Sequence, residues 1–335
     1  MGSIWGIHAL PNTYRLSELV WPRPAAPSAA SGWFETGSRA LAILALAVWV
    51  GAGVWQSDAG EPERVASDTP QAATPKTKSS APTAEYMVAA YGGMPYTYDS
   101  QVNLKKAGQH DFSAEPVAWR GEPFIDPIYY GVRVLRWFGE GRTGTMLDFT
   151  HSKTIAELQN DAKFKGLLNG SQAPEVAKLN DVFKRLEFSH GHNMLTLNGL
   201  LRLANLHPRL SPYVGLGAGI NLPHTEIQLQ SDKRRTYEYQ FTGPVVQALV
   251  GLEFRLPRMS YFLEYKFSFA SYDVPLTGLD GTKIGLFADL YRQAMRWFSG
   301  EEPAQGRLTT ELASHQVIGG LGVRFAVRPA AAATP

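Results

Sequence analysis

Histidine is where this sequence concentrates its chemistry. The chain has eight histidines and no cysteine. That composition removes thiol nucleophiles, disulfides and Cys-ligated zinc, and leaves imidazole as the most capable ligand and base. His8 precedes an apolar segment and His207 falls in a short turn, so His110, His151, His190, His192, His224 and His315 remain. Three polar clusters matter: Asp148-Phe149-Thr150-His151-Ser152-Lys153, Ser189-His190-Gly191-His192-Asn193 and Asn221-Leu222-Pro223-His224-Thr225-Glu226. Residues two apart on a strand project from one face, so His190 and His192 are expected to present two imidazoles side by side. A divalent metal ion of unknown identity, held by His190, His192 and Glu226, or an acid–base site built from these with His151 and His224, is the chemistry this pattern allows. The bland reading is a set of interfacial histidines that occupy a half-wet zone and hydrogen-bond nearby loops.

The elements that must position these residues are strands. From 84 to 327 the chain alternates between segments of about ten residues with period-two hydrophobicity and polar connections, the signature of a transmembrane barrel. The expected strands are Glu85–Tyr98, Pro127–Phe138, Thr143–Lys153, Ser189–Ala204, a fifth from Pro212, Tyr239–Leu256, Ser260–Tyr272 and Glu311–Val327. Connections after the second, fourth and sixth are short, and those after the first, third, fifth and seventh are long. Helical spacing at Leu158, Phe164, Leu167, Val182 and Phe183 predicts a helix within 154–187. The fold class is therefore all-β: an eight-stranded antiparallel transmembrane barrel of outer-membrane type, with an interior filled by side chains and no open pore. Inward Arg133, Arg202, Glu253, Glu264 and Lys266 are expected to pair with one another. A soluble lipocalin-type barrel reverses the two faces. The export segment and the aromatic residues near strand ends (Tyr129, Tyr130, Trp137, Tyr213, Tyr261, Tyr272) favour the membrane version.

Residues 1–59 read as an N-terminal export segment around an apolar helix at 40–55, with small residues at Ser57 and Ala59 for cleavage by signal peptidase. Residues 60–83 are Pro, Ala, Ser, Thr and charge, a composition that cannot bury a core and reads as a disordered periplasmic linker; 328–335 is similar. The formal net charge of +2 and the absence of a basic, aromatic-interleaved face exclude nucleic acid as a partner. No Walker loop, Rossmann fingerprint, nucleophile elbow or HExxH motif is present, so no flavin or nicotinamide site is expected. Strand parity leaves two arrangements open. Counted from Leu147 and Phe149, His151 falls on the lipid-facing side, and His224 follows Ile220 and Leu222 in the same way. Either a bulge resets the parity and makes one mixed site, or His151 and His224 face outward while His190 and His192 face inward.

The segments DFTHSK (148–153), FSHGHNMLTLNGLLR (188–202) and PYVGLGAGINLPHTEIQ (212–228) together resemble the lipid A oxidase family of rhizobia and related α-proteobacteria, over most of 84–327. The resemblance implies an outer-membrane protein that uses dioxygen to convert the proximal glucosamine of lipid A to 2-aminogluconate. It also implies release of hydrogen peroxide and the involvement of divalent cations. Lipid A or lipopolysaccharide is then the expected partner, with Lys153, Lys233, Arg234 and Arg235 as candidates for its phosphates and Asn193 for substrate binding. Two other classes stay open. One is a lipid A deacylase with Ser152 or Ser189 as nucleophile beside a histidine, and the other is a non-catalytic barrel for adhesion or envelope anchoring.

Overall fold

The computed structural model describes residues 84–327 except 140 and 304; the expected export segment, linker and tail lie outside these. In chain order the elements are β1 (Ala84–Thr97), β2 (Ser100–Lys106), β3 (His110–Val117), β4 (Trp119–Arg120), β5 (Tyr130–Phe138), β6 (Thr143–Ala156), β7 (Asp161–Leu168), β8 (Ser171–Gln172), β9 (Val176–Lys178), α1 (Leu179–Val182), β10 (Phe183–Arg202), β11 (Leu210–Asn221), β12 (His224–Leu229), β13 (Thr236–Tyr239), β14 (Gly243–Arg255), β15 (Met259–Pro275), α2 (Leu286–Ser299) and β16 (Arg307–Val327). Eight of the strands close a ring in the order β1-β5-β6-β10-β11-β14-β15-β16, and β16 returns to β1. Each pairing is antiparallel, and the closing seam runs from Ala84↔Val327 to Thr97↔Ser314. Closure leaves no unpaired backbone edge around the ring, which is the condition for crossing hydrocarbon with strands. The short turns gather at one end and the long connections at the other, as expected.

The direction of the side chains decides between the two barrel types. Val132 (49% exposed), Leu197 (63%), Leu216 (65%) and Leu263 (60%) point away from the ring. Arg133, Asp148, Glu264 and Lys266 point into it, each no more than 2% exposed. An apolar outside around a polar inside is the transmembrane arrangement, and the reverse of a lipocalin.

The interior is filled by ion pairs that meet the sequence expectation. The Arg133 guanidinium donates to Asp148 (Nε–Oδ1 3.0 Å) and to Glu264 (Nη1–Oε2 2.9 Å). Lys266 Nζ donates to Asp148 Oδ2 at 3.1 Å, to Thr150 at 2.8 Å and to Tyr91 at 3.1 Å. Nearer the short turns, Arg202 joins Glu85 (2.9 Å) and Glu253 (3.0 Å). Two glycines make room for this network. Tyr91 lies opposite Gly131, where a Cβ would sit 1.8 Å from the tyrosine ring. Tyr213 lies opposite Gly251, where the corresponding approach is 2.3 Å.

Beyond the membrane band, the long connections are ordered rather than trailing. β16 extends upward to pair with β2, and β2, β3 and β7 continue the wall. Together they enclose an apolar core that includes Leu104, Phe112, Phe164, Phe183, Phe188, Tyr272 and Leu312. The expected helix in 154–187 is not formed. Ala162 and Phe164 alternate with Lys163 and Lys165 along β7 with period two, and only the four residues of α1 are helical. Leu167, three residues beyond Phe164, therefore falls on the opposite, exposed face, and pairing with β3 holds the segment extended. A helix forms instead within the long connection after the seventh expected strand, as α2.

Candidate acid–base groove on the outer face of the barrel

A bulge in β10 governs the histidines. Phe188 pairs with Thr154 and His192 with Ser152, so Ser189, His190 and Gly191 together face Lys153 alone. Gly191 takes φ +145°, a conformation that a side chain resists, and a Cβ there would come within 2.4 Å of the Asn193 amide. A two-residue insertion preserves parity on either side of itself: Glu187 and Asn193 keep facing out, and Phe188 and His192 keep facing in. Within the insertion, however, His190 swings outward. The side-by-side pair expected from the His-Gly-His spacing is thereby split.

His192 is 1% exposed. It lies inside the wall against Tyr272, with the rings stacked at 5.6 Å and Nδ1 hydrogen-bonded to the tyrosine hydroxyl. His190 looks into a groove of about 470 Å³ on the outer face of β6, β10 and the β12–β13 hairpin. Its Nδ1 lies 3.3 Å from Ser189 Oγ and 3.9 Å from Glu226 Oε2. Its ring meets those of His224 at 5.4 Å and Tyr237 at 5.6 Å. Burial holds the His190 pKa below the ordinary imidazole value, with Lys283 adding to the shift. The ring is therefore a neutral base near pH 7.

The other two histidines border this site. His224 is fully buried between the rings of Tyr237 (4.4 Å) and Tyr239 (4.6 Å). Its Nε2 faces the carbonyl of Thr282 at 3.4 Å. Burial, and then the neighbouring His190, bring its pKa down to about 4. With Nε2 donating to that carbonyl, Nδ1 is a bare acceptor, and no hydrogen-bond partner reaches it among the described residues. His151 stacks on Tyr130 at 4.7 Å and directs Nδ1 to Asn193 Oδ1 at 2.8 Å. Because the amide oxygen can only accept, the proton is assigned to Nδ1 of His151. Asn193 Nδ2 in turn donates to the Leu222 carbonyl at 3.1 Å, so this candidate for substrate binding is committed to the wall. His110 (Nε2 to Ser231 Oγ, 3.4 Å) and His315 (among Tyr96, Tyr98 and Tyr265) belong to other surroundings.

Sequence spacing missed the groove's main acid. Glu187 lies directly opposite Glu226 across β10 and β12. Burial raises the Glu187 pKa, the adjacent Glu226 carboxylate raises it further, and Arg185 opposes both. Glu226 is instead held by Arg235, whose Nη1 approaches Oε1 at 2.6 Å. Both carboxyls meet an arginine, Glu187 at Arg185 (Nη1–Oε1 3.2 Å) and Glu226 at Arg235, and the raised pKa of Glu187 lets it hold a proton more readily than an ordinary carboxyl. The available signal was the alternation itself. Arg185 and Glu187 occupy the parity that is apolar lower on the same strand, which marks where the strand leaves lipid.

Arg120, Lys153, Arg185, Arg235 and Lys283 surround these groups. Lys153 also donates to the Asp126 carbonyl at 3.0 Å. Arg234 and Lys233 face a separate hollow, with Gln228 and Asp280. The metal set His190, His192 and Glu226 does not converge, because His192 lies on the other side of the wall. Among the described residues no three His, Asp or Glu side chains are disposed to hold an ion. These three residues therefore do not fit the divalent ion expected from the sequence.

No protein-family profile and no curated protein matches the chain. Among solved structures, the crystal structure of Neisserial surface protein A (NspA) is similar over 72% of this chain and 97% of its own, at 10% identity and a TM-score of 0.30. The cryo-EM structure of the type II secretion secretin XcpQ from Pseudomonas aeruginosa aligns over 73% of this chain and 58% of its own, at 13% identity and a TM-score of 0.09. Likenesses this distant carry no argument, and the fold rests on the register of the chain itself. That register describes an eight-stranded antiparallel barrel of outer-membrane type, with a charged groove on its outer face above the lipid-facing band.

Proposed function

We propose that this protein is an outer-membrane enzyme that acts on lipid A, as an oxygen-dependent oxidase of its proximal glucosamine. The observation that supports this most is the position of the groove. It opens sideways on the wall of the barrel, immediately beyond the lipid-facing band, where the sugars of an outer-leaflet glycolipid lie. Its contents suit such a substrate. The five cations can hold phosphates or other anionic groups of the head. Neutral His190 or the Glu226 carboxylate can take the proton of the anomeric hydroxyl, and Glu187, whose pKa is raised by burial and by Glu226, can donate to the sugar in its protonated form.

Oxidation of that hemiacetal removes two electrons and two protons and leaves a lactone. Dioxygen, as implied by the resemblance to the oxidase family, accepts them and leaves as hydrogen peroxide, and water opens the lactone to the 2-aminogluconate. The residues described here account for binding and proton transfer, and no step is assigned to a metal ion.

The deacylase reading is less well supported. A Ser–His–acid relay needs the serine and the acid on different ring nitrogens, but Ser189 and Glu226 both approach Nδ1 of His190. Ser152 is 1% exposed and lies away from the groove. Mass spectrometry of lipid A from cells making the protein, grown with and without air, tests the proposal. Gain of an oxygen atom on the proximal unit only in air, abolished by Glu187→Gln, supports the oxidase. Loss of an acyl chain supports the deacylase. Unaltered lipid A, with folded barrel in the outer membrane, refutes both and leaves an anchoring or adhesive role.

A further inference from the structure

Helix α2 (Leu286–Ser299) is amphipathic in the opposite sense to a helix of a soluble protein. Its buried residues are polar: Asp289 and Gln293. Asp289 Oδ2 accepts from the Tyr239 backbone N–H at 2.9 Å. Gln293 exchanges two hydrogen bonds with the backbone of Phe241, at 2.7 and 2.8 Å. Arg292 and Arg296 turn back to the carboxylates of Asp289 and Glu238. The helix residues left outside include Phe287 (86% exposed), Tyr291 (67%), Met295 (46%) and Phe298 (88%), with Ile284 (92%) just before the helix. Their spacing of three and four puts them on one face. A soluble helix buries such a face and exposes its polar one.

The location of the helix identifies what covers that face. Its polar side is fastened at Tyr239 and Phe241, and Trp297 meets Phe241 edge to face at 5.7 Å. Phe241 lies two residues before β14, whose outward residues Val246 and Val250 belong to the lipid-facing band. The aromatic face of α2 thus continues that band beyond the end of the strands. At its N-terminal side, Lys283 lines the charged groove.

We propose that α2 is an interfacial helix, with its aromatic face sunk into the acyl chains of the outer leaflet, where it holds the mouth of the groove at head-group level. Amphipathic helices of this composition lie in the membrane plane with the apolar face in lipid. The inference rests on the reading of the barrel as transmembrane, and not on the oxidase chemistry.

The absence of cysteine makes the test direct. Phe287→Cys, Tyr291→Cys, Phe298→Cys, Val132→Cys and Glu301→Cys in the full chain each carry a single nitroxide. The variants are folded into vesicles of phosphatidylcholine and phosphatidylglycerol, with folding checked by heat-modifiable migration. Collision with oxygen and with a water-soluble nickel chelate then gives each label's depth. The three helix positions are expected about 5–10 Å below the phosphates, Val132→Cys within the hydrocarbon and Glu301→Cys in water. Helix labels as open to nickel as Glu301→Cys, with Val132→Cys still in lipid, overturn the proposal for α2 alone. Nickel access at Val132→Cys as well overturns the barrel reading beneath it. Dipolar broadening between helix labels of different molecules overturns it in favour of contact with a second copy.

Discussion

Asp148→Asn should destabilise this barrel severely, and a second substitution should partly repair it. Asp148 is fully buried and faces two cations, Arg133 at 3.0 Å and Lys266 at 3.1 Å, while Glu264 takes the other end of Arg133. The four charges cancel. At an effective dielectric of about 20, each contact near 3 Å carries roughly 5 kcal/mol of gross attraction. Most of this is offset by desolvation, so the net loss on removing one partner is about 3–5 kcal/mol. Asp148→Asn keeps the shape and leaves one positive charge in excess. Lys266→Met leaves one negative charge in excess. The double variant is neutral again and retains the Arg133–Glu264 pair, so it should lose less than either single change. Equilibrium urea unfolding of the barrel in lipid vesicles measures all four proteins, and the cycle gives the coupling. A double variant that loses the sum of the two single losses would refute the account of the interior as a closed charge balance. A single loss below about 0.5 kcal/mol, the range of inert surface changes, would refute the burial on which it rests.

The groove and its hairpin respond to pH in opposite senses. Glu187 has a raised pKa, so its stabilising protonated form is lost as pH rises from the unfolded carboxylate range through the raised value. Activity that depends on its proton should fall over the same interval. Glu187→Gln should remove that limb and lower turnover about 10²–10⁴-fold, the contribution of one positioned acid, as read by lipid A conversion against pH. His224 titrates at about 4 against roughly 6.5 when unfolded. Its unfolded form therefore gains protons first, and docking of the β12–β13 hairpin should weaken as pH falls from about 6.5 towards 4. Amide exchange in 224–239 should show this weakening, and His224→Phe should flatten it. His190→Ala should abolish lipid A modification while heat-modifiable migration is unchanged. His192→Phe should preserve modification but lower stability by about 1–3 kcal/mol, because Tyr272 loses a buried partner.

The ring was legible in the sequence because a narrow barrel in lipid imposes one rule on every strand. Val132, Val134, Leu197 and Leu263 must alternate with groups such as Arg133 and Glu264, and they do. The parts beyond the membrane obey no such rule. Phe164 sits in an apolar core of the soluble type, where local spacing does not fix a short segment, and its extended conformation is decided by the pairing of β7 with β3. Helix α2 did carry a signal, the spacing of Phe287, Tyr291, Met295 and Phe298 by three and four, inside a stretch the strand pattern left as a connection. The carboxyl pair was hidden because Glu187 meets Glu226 through a hairpin whose register no local pattern states. The His-Gly-His motif misled for a different reason. Period two holds only while the ladder is regular, and the conformation of Gly191 ends that regularity at the motif itself.

The apolar core above the ring has a consequence for the cell rather than for the chemistry. Phe112, Phe183, Phe188, Leu308 and Leu312 pack together at the loop end, and the ion-pair lattice fills the passage below. Among the described residues, these two layers occupy the axis that solutes would follow. Reconstituted protein should carry no current across a planar bilayer, and its abundance should leave uptake of small hydrophilic antibiotics unaltered. An envelope could therefore hold this barrel at high copy number without becoming leaky, so that its amount is free to follow demand for the proposed surface chemistry alone.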